Sequence, residues 1–558
     1  MRISNNLKTS VPLFLLFIYW IFLVSGIDLS FPIQVIPDET AQLLNIYGMI
    51  NSGSLKLPYE TYYTVWVHLS LLPFTMLFWG FEYFIEGMPS IAVFKTHVAA
   101  NYIDVLPFLR SVSSILFLFS AWLVSKVIAD KWSQRVAYLF LCFLVLDLLV
   151  FINLHYSKHW VIDFSWVFLS IYLYWNYLKN GSNALLILSG ISLCFAMFSS
   201  HPLALAGLYH LYLLVDNKGT KKEALKDIGT TFSIVLIFFV LTMWLGPGKI
   251  LSEIVYGGAS SQVQASISPS VIIDVLSALV DYNFVLSAIF IFSVFYMILK
   301  RDSEIFLLII PFIGYLFLIA TYHFEPRYNL FLIISMSLIS AVVLCKIKRT
   351  AIVNTLSMVL VFVNIILLLS WHSIVTAKDT RIMTLEWLKE NTSSKSFVIY
   401  NTLGFNYYPI TKDGIRFIDK NFPNAIGTRE KLHLSLNLPD GINGIILRKI
   451  EEGRYKGPKL IKLLLESGYE PILTNERFGL NAYFHQPAPS TYKMILNNCS
   501  YTIESTFIPY DEVPEKFEDY GDILYNFTSV IESLLLFDRP GPVMTIYRFN
   551  QMQPKTCS

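Results

Sequence analysis

Charge is what this sequence has least of. Only 15% of its 558 residues are Asp, Glu, Lys or Arg, and the net charge is +2, where a soluble globular chain carries about a quarter charged residues. No block of basic residues offers a nucleic-acid surface, so nucleic acid is not among the expected partners. No P-loop, dinucleotide fingerprint or zinc-type Cys/His spacing occurs, which leaves nucleotide-driven and zinc chemistry without support. Cysteine is scarce as well. Of the five, Cys142, Cys194 and Cys345 fall in or at the ends of apolar runs, leaving Cys499 and Cys557 as a pair that an oxidising compartment could join.

What fills the space is hydrophobic sequence: 54% of residues, with a mean hydropathy of +0.54. It is organised in long runs between Val11 and Trp371. A span needs roughly 20 apolar residues. On that scale about eleven spans are expected, near 11–29, 107–128, 136–152, 162–178, 184–199, 202–215, 230–246, 283–299, 304–321, 329–345 and 351–371. The first run follows Arg2 and Lys8 and lacks a good small-x-small cleavage site, so it reads as a retained span rather than a signal peptide.

One more run, "YYTVWVHLSLLPFTMLFWG" at 62–80, decides the topology. With this run left outside, Arg2, Lys8, Lys126, Lys131, Arg135, Lys179, Lys218, Lys221, Lys222, Lys226, Lys300, Arg301, Lys346, Lys348 and Arg349 share one side. The other side keeps only Lys56, Lys95, Arg110, Lys158, Lys249 and Arg327. Cytoplasmic loops carry the Lys/Arg excess, so the run is expected to be interfacial or re-entrant within a long outer loop, 30–106. The N-terminus is then cytoplasmic and the tail outside.

The expected fold is mainly α: a polytopic transmembrane helical domain, 1–371, followed by an extracytoplasmic α/β domain, 372–558. In the tail, "TRIMTLEWLKEN" and "GPKLIKLLLESG" have helical periodicity, while "SFVIYN", "EPILTN" and "VMTIYRF" read as short strands. Three glycosylation sequons, at Asn391, Asn498 and Asn526, suit an outside location.

This topology collects the polar residues at one side. The first outer loop supplies Asp38 and Glu39. "NLHYSKHWVID" supplies His155, Lys158, His159 and Asp163, "SSHP" supplies His201, and "TYHFEPRYN" supplies His323, Glu325 and Arg327. Each has a structural reading. Asp38 or Asp163 could cap a helix, His201 could mark a span end, and Arg327 could anchor at the interface. Ionisable groups at membrane level are costly, however, and function is the default hypothesis there.

The order and sidedness of these segments resemble the GT-C superfamily of integral-membrane glycosyltransferases, most closely the dolichyl-phosphate-mannose–protein mannosyltransferase and aminoarabinose-transferase branch. "IPDETAQLLNIYGMINSG" is similar to that branch's acidic first-loop helix, and "TVWVHLSLLPFTMLFWG" to its amphipathic element. "LPFLRSVSSILFLFSAWLVSKVI" is similar to the next span, with Arg110 at the matching arginine. "HYSKHWVIDFSWVFLSIYLYW" matches through Asp163, and "HFEPRYNLFLI" through Arg327 and Tyr328. The likeness covers roughly 10–370 and "DTRIMTLEWLKEN". A basic-Pro-Pro-Leu signature is replaced by "LPYETYYTVW", and WWDYG is absent, which leaves acceptor and subfamily open.

The resemblance implies an inverting transfer of a sugar from a polyprenyl-phosphate donor to a protein, lipid or glycan acceptor on the outer face of the membrane. That would be the cell membrane in a prokaryote and the endoplasmic reticulum in a eukaryote. Asp38 and Asp163 are the expected catalytic carboxylates. Glu39, Arg327, Lys158, His159, His155, His201 and Glu325 are the expected substrate contacts. No cofactor is demanded; a divalent cation bridging Asp38 or Asp163 to phosphate is compatible with the residues. The competing readings are a lipid-linked sugar transporter or flippase, for which no internal repeat or broken helix is legible, and an inactive scaffold of the same fold.

Overall fold

The computed structural model describes residues 5–28, 37–58, 63–102, 104–157, 159–216, 221–248, 251, 269–321, 329–347 and 350–377, together with six strands of the tail. Contacts divide the chain into two units, Met1–Ile27 with Asp38–Leu369, and Asp28–Pro37 with Ser370–Ser558.

Long apolar runs leave the backbone no water to bond with, so the first unit closes its hydrogen bonds within helices. These are α1 (Asn5–Val24), α2 (Pro37–Ser52), α3 (Val65–Ile85), α4 (Ile91–Asn101), α5 (Leu106–Lys131), α6 (Gln134–Val145) and α7 (Leu148–Leu154). There follow α8 (His159–Asn180), α9 (Asn183–Ser199), a 3-10 turn (His201–Ala206), α10 (Gly207–Asp216) and α11 (Lys221–Leu245). The last are α12 (Pro269–Tyr282), α13 (Phe284–Lys300), α14 (Ser303–Ile319), α15 (Leu330–Lys346) and α16 (Thr350–Val375). Each of the eleven runs read as a span is helical over most of its length. Among the described residues four helices, α3, α5, α11 and α16, are by length and composition long and apolar enough to cross a membrane, or up to six if each of two bent pairs is one span. Outward-facing Phe232, Leu236, Val240, Phe362 and Ile366 are exposed hydrophobics, the surface that lipid covers. The chain is a multi-pass membrane protein.

Contacts fix the direction of the helices. α5 and α8 run parallel: Phe117 lies 5.6 Å from Phe168, and Asp130 near the end of α5 pairs with Lys179 near the end of α8 at 2.6 Å. α9 returns antiparallel, with Ser170 and Ser189 hydroxyls each bonding the other's carbonyl at 2.7 and 2.9 Å. Such small residues let two helices approach closely. α11 lies alongside α9 in the same sense, from Lys226–Asn183 to Phe238–Phe195.

One end of the unit therefore gathers basic residues. Lys179 is there with Asp130, Lys226 with Asn183, and Arg135 with Asn354. Lys346 bridges Asp302 and Glu304 at 2.7 and 2.8 Å, and Trp132 also donates to Glu304.

The run expected to be interfacial is a single helix, α3. Its first turns meet the C-terminal ends of α9 and α11: the Thr64 hydroxyl donates to the Phe198 carbonyl at 2.7 Å, and Trp66 Nε1 to Thr242 at 2.6 Å. Three turns later Phe78 contacts Phe108 at the start of α5, 5.5 Å between rings. Both stretches of α3 meet the same end of the bundle, as a helix laid across that end would. Its entry is set by glycine. Gly248 has φ +69°, and a Cβ there would stand 2.4 Å from the Tyr63 carbonyl. Val65 N–H bonds Gly246 O at 3.0 Å beside it.

Two helices are broken, contrary to the sequence reading. α6 and α7 meet at 66°, α12 and α13 at 117°. The breaks bond to each other. Asp147 caps α7 by accepting from Val150 N, Asn283 caps α13 by accepting from Leu286 N, and Asn283 Nδ2 donates to Asp147 Oδ2 at 2.9 Å. The Val145 carbonyl, next to the break, accepts from the Tyr19 hydroxyl at 2.5 Å.

In the second unit the strands are β1 (Phe397–Asn401), β2 (Ile426–Thr428), β3 (Tyr469–Thr474), β4 (Ser490–Asn497), β5 (Tyr501–Phe507) and β6 (Val543–Phe549). They form one sheet in the order β2-β1-β4-β5-β6-β3. Only β1 and β2 pair in parallel, and the rest are antiparallel. The three segments read as strands are β1, β3 and β6. The two read as helices, the three sequons, and Cys499 and Cys557 lie outside the described residues.

The basic end should face the cytoplasm. Single cysteines placed in 218–226 or 346–349 should escape a membrane-impermeant thiol reagent added from outside, while one placed after Ser373 should be labelled. Labelling within 218–226 would reverse the orientation.

Candidate active site

Pro37 opens α2, where its missing N–H costs nothing and its φ is already helical. Asp38 and Glu39 thus stand inside the first turn. Carboxylates there still face the positive helix end.

The two acids differ in environment. Glu39 is fully buried. Its Oε1 accepts from Arg110 Nε at 3.1 Å, from Ser157 N at 2.8 Å and from the Ser157 hydroxyl at 3.1 Å, and its Oε2 accepts from Arg110 Nη2 at 2.7 Å. Arg110, also fully buried, donates a further bond from Nη1 to the Ile27 carbonyl at 3.0 Å, and its guanidinium lies 5.7 Å from the Tyr156 ring. This two-pronged pair joins the chain just after α1 to α2, α5 and the segment leading into α8. Glu39, expected to contact substrate, has its oxygens engaged by protein. Asp38 is the adjacent position on the same turn.

Asp163 lies in the second turn of α8, because that helix starts at His159. The capping alternative for Asp163 falls with that. It is fully buried, and the Ser199 hydroxyl beside it is the one polar partner its carboxylate has among the described residues. His159 sits one turn earlier on the same face. Its Nδ1 accepts from the Gln42 amide at 3.4 Å, and its ring packs on Tyr63 at 4.2 Å. Gln42 is in turn one turn after Asp38 on α2.

The expected site residues therefore divide. Asp163, His159 and the α2 turn bearing Asp38 come together at the end remote from the basic residues. His201 opens the 3-10 turn that follows α9, with Nε2 buried and unbonded. His155 closes α7 and uses Nδ1 on the Phe151 carbonyl at 2.9 Å, a contact that orients its ring. Lys158, His323, Glu325 and Arg327 lie outside the described residues.

Sequence reasoning missed several members: Gln42, His68, Ser199 and Ser200. All are buried; Gln42 Oε1 and the Ser200 hydroxyl have no partner among the described residues, while the His68 ring meets the Gln42 main chain and the Ser199 hydroxyl meets Asp163. Nothing in the sequence sets them apart, since Ser and Gln are common and His68 sits in an apolar run. Among the described residues no three His, Cys, Asp or Glu side chains are grouped to hold a metal ion.

Removing one member of a buried ion pair leaves the other charge stranded, at a cost of roughly 3–5 kcal/mol. Arg110→Met should therefore lower the melting temperature sharply in detergent, and adding Glu39→Leu should recover part of the loss. Strictly additive losses in that double-mutant cycle would show that the two side chains are not coupled.

No protein-family model matches the sequence, and no curated protein matches it. Solved structures do. The chain is similar to ArnT from Cupriavidus metallidurans in the apo state, at 12% identity and a TM-score of 0.46 over 67% of each chain. It is also similar to the same protein bound to undecaprenyl phosphate, at 14% identity and a TM-score of 0.43, over 62% of this chain and 61% of that one. A third is the Archaeoglobus fulgidus oligosaccharyltransferase in the apo form, at 13% identity and a TM-score of 0.37 over 70% and 59%. The match spans less than two thirds of the lipid-bound ArnT chain, and the functional reading stands on this chain's own residues.

Proposed function

We propose that the chain is an inverting glycosyltransferase that moves a sugar from a polyprenyl-phosphate donor to a hydroxyl acceptor on the extracytoplasmic face. The observation that carries this reading is the fully buried carboxylate of Asp163, with the Ser199 hydroxyl beside it, one turn from His159, which bonds Gln42 on the helix whose first turn bears Asp38. Burying a carboxylate with so few partners is costly unless something else completes it, and two carboxylate positions at one membrane-end site suit acid–base chemistry.

The acceptor oxygen attacks the anomeric carbon from the face opposite the phosphate. As the new C–O bond forms, the bond to phosphate breaks and its electron pair leaves with the polyprenyl phosphate. The acceptor proton passes to a carboxylate, because a neutral hydroxyl is a weak nucleophile. Asp38 is the base in this proposal, and Asp163 is the second carboxylate facing the reacting sugar. Glu39 does not compete for that role, since Arg110 and Ser157 engage it. The departing phosphate needs positive charge more than a proton, and Lys158 and Arg327 are the cations assigned to it. Arginine's planar fork fits two phosphate oxygens at once. No step is routed through a metal ion.

The two broken helices are a feature that a transporter would share. Here the breaks bond to each other through Asp147 and Asn283, and both Asp147 oxygens are used, so they hold a bend rather than offer an open site.

Membranes containing the chain should release label from a radiolabelled polyprenyl-phosphate sugar. Asp38→Asn should abolish that release, at a stability cost of only about 0.3–1 kcal/mol for the lost charge at the helix start. Normal turnover in that variant would return Asp38 to a purely structural role. At Arg327, substitution by Ala should raise the donor KM far more than substitution by Lys. An interfacial anchor would instead tolerate Lys fully, and Ala would harm stability without changing donor dependence.

A further inference from the structure

Each of the two helix breaks is tied by hydrogen bonds to a different part of the candidate site. Asp147 opens a stretch, 147–157, in which every residue is buried. Helical bonds continue beyond α7, from His155 N–H to the Ile152 carbonyl and from Tyr156 N–H to the Asn153 carbonyl. At the far end Ser157 gives its N–H and its hydroxyl to Glu39. α1 runs beside this stretch in the same sense. Tyr19 bonds the Val145 carbonyl, Phe22 stacks on Phe151 at 5.9 Å, and the Ile27 carbonyl takes Arg110, the partner of Glu39. Two struts thus join the α6–α7 break to the turn of α2 that bears Asp38.

Asn283 leads the other way. The Ser287 hydroxyl bonds the Leu279 carbonyl across the bend at 2.9 Å and fixes α12 to α13. One turn back along α12, the Val275 carbonyl accepts from Asn329 Nδ2 at 3.2 Å. Asn329 directly precedes α15 and follows Arg327 by two positions in the sequence. Arg327 is one of the cations assigned to the donor phosphate.

The side chains at the breaks do more than a cap requires. A helix start needs one side-chain oxygen, which serine, aspartate and asparagine supply about equally. Asp147 Oδ1 serves Val150 N–H, and Asn283 Oδ1 serves Leu286 N–H. The second polar atom of each goes to the other, Nδ2 to Oδ2 at 2.9 Å, between side chains withdrawn from solvent. In such a poorly solvated place a hydrogen bond is stronger than in water. At this bond the two networks meet.

We propose that Asp147 and Asn283 are positioning residues, and that their bond holds the α2 side of the site in register with the α15 side. The inference rests on the glycosyltransferase reading and adds a remote pair to it. In a single displacement the base on the acceptor and the cation on the departing phosphate act on opposite sides of the anomeric carbon. Their separation must therefore suit the transition state. Each side keeps its own contacts to substrate when the bond is lost, so a slip between them lowers turnover more than donor affinity. A misplacement of about 1 Å can cost on the order of a hundredfold in rate.

The test pairs kinetics with a distance. Asn283→Ser keeps a capping oxygen but is too short to reach Asp147. In membranes its kcat for release of sugar from the polyprenyl-phosphate donor should fall roughly tenfold or more, with the donor KM within about threefold of wild type. The exchange of Asp147→Asn with Asn283→Asp keeps both caps and turns the bond around, and it should restore most of the kcat. Spin labels placed at Ser52 on α2 and Ile273 on α12, both exposed, should give one narrow distance distribution in wild type and in the exchange variant. In Asn283→Ser that distribution should broaden or shift. Should Asn283→Ser fail to fold, Asp147→Ser breaks the same bond from the other side and carries the same expectations.

A wild-type kcat in the folded serine variant would overturn the proposal. So would a loss confined to donor KM, an exchange variant that folds without regaining kcat, or an unchanged distance distribution. The glycosyltransferase reading fails separately, when no label leaves any donor in wild-type membranes. The distances then still decide whether the bond joins the two sides.

Discussion

The buried pair between Glu39 and Arg110 holds the candidate site together. Both side chains are withdrawn from solvent, a desolvation that costs several kcal/mol per ion. Two parallel N–H···O contacts, the Ser157 amide and the Ile27 carbonyl offset it by satisfying the remaining lone pairs and protons. The geometry ties four chain segments that are distant in sequence. With it in place, the first turn of α2 has one orientation, and the segment leading into α8 is held against that turn. Asp38, Gln42 and His159 inherit their placement from this anchor.

From there the molecule is polarised along its helices. Through the body, helices pack by small and aromatic side chains, and many serine hydroxyls bond back to the preceding turn. Some buried polar residues there find partners across helices: Tyr174 and Tyr177 both donate to Asp227, and His210 meets Ser170 at 2.9 Å. At the basic end Lys346 bridges two acids. At the opposite end α2, α3, α8 and α9 bring Gln42, His68, Asp163, Ser199 and Ser200, all buried, into neighbouring turns.

Much of this could be read from the chain. Apolar runs located the helices because lipid leaves no alternative for the backbone. The Lys/Arg pattern separated two sides, and the contacts of α5, α8, α9 and α11 do put Lys131, Lys179 and Lys226 at one end and His159 and Ser199 at the other. The roles of the acids were not readable. Asp38 and Glu39 are adjacent and chemically alike, and only the approach of Arg110 and Ser157 separates anchor from candidate base. The place of Asp163 inside α8 was not readable either, because that helix begins at His159, a shift of a few residues that periodicity does not resolve. The breaks at Asp147 and Asn283 were hidden for a similar reason. Each looks like a lone polar residue in an apolar run, and their partnership spans 136 positions.

The sequence by itself determined that the chain is helical and membrane-embedded, which runs form helices, and on which side its basic residues gather. Those properties follow from local composition, since partition into lipid and loop charge are sums over neighbouring residues. Tertiary structure alone decided that Glu39 is an anchor, that both stretches of α3 meet the same end of the bundle, and that His68, Gln42 and Asp163 are buried on neighbouring turns of three helices. Those depend on which side chains from separate helices come within hydrogen-bonding distance of one another. That outcome is set by packing over the whole bundle and leaves no trace in the spacing of any one segment.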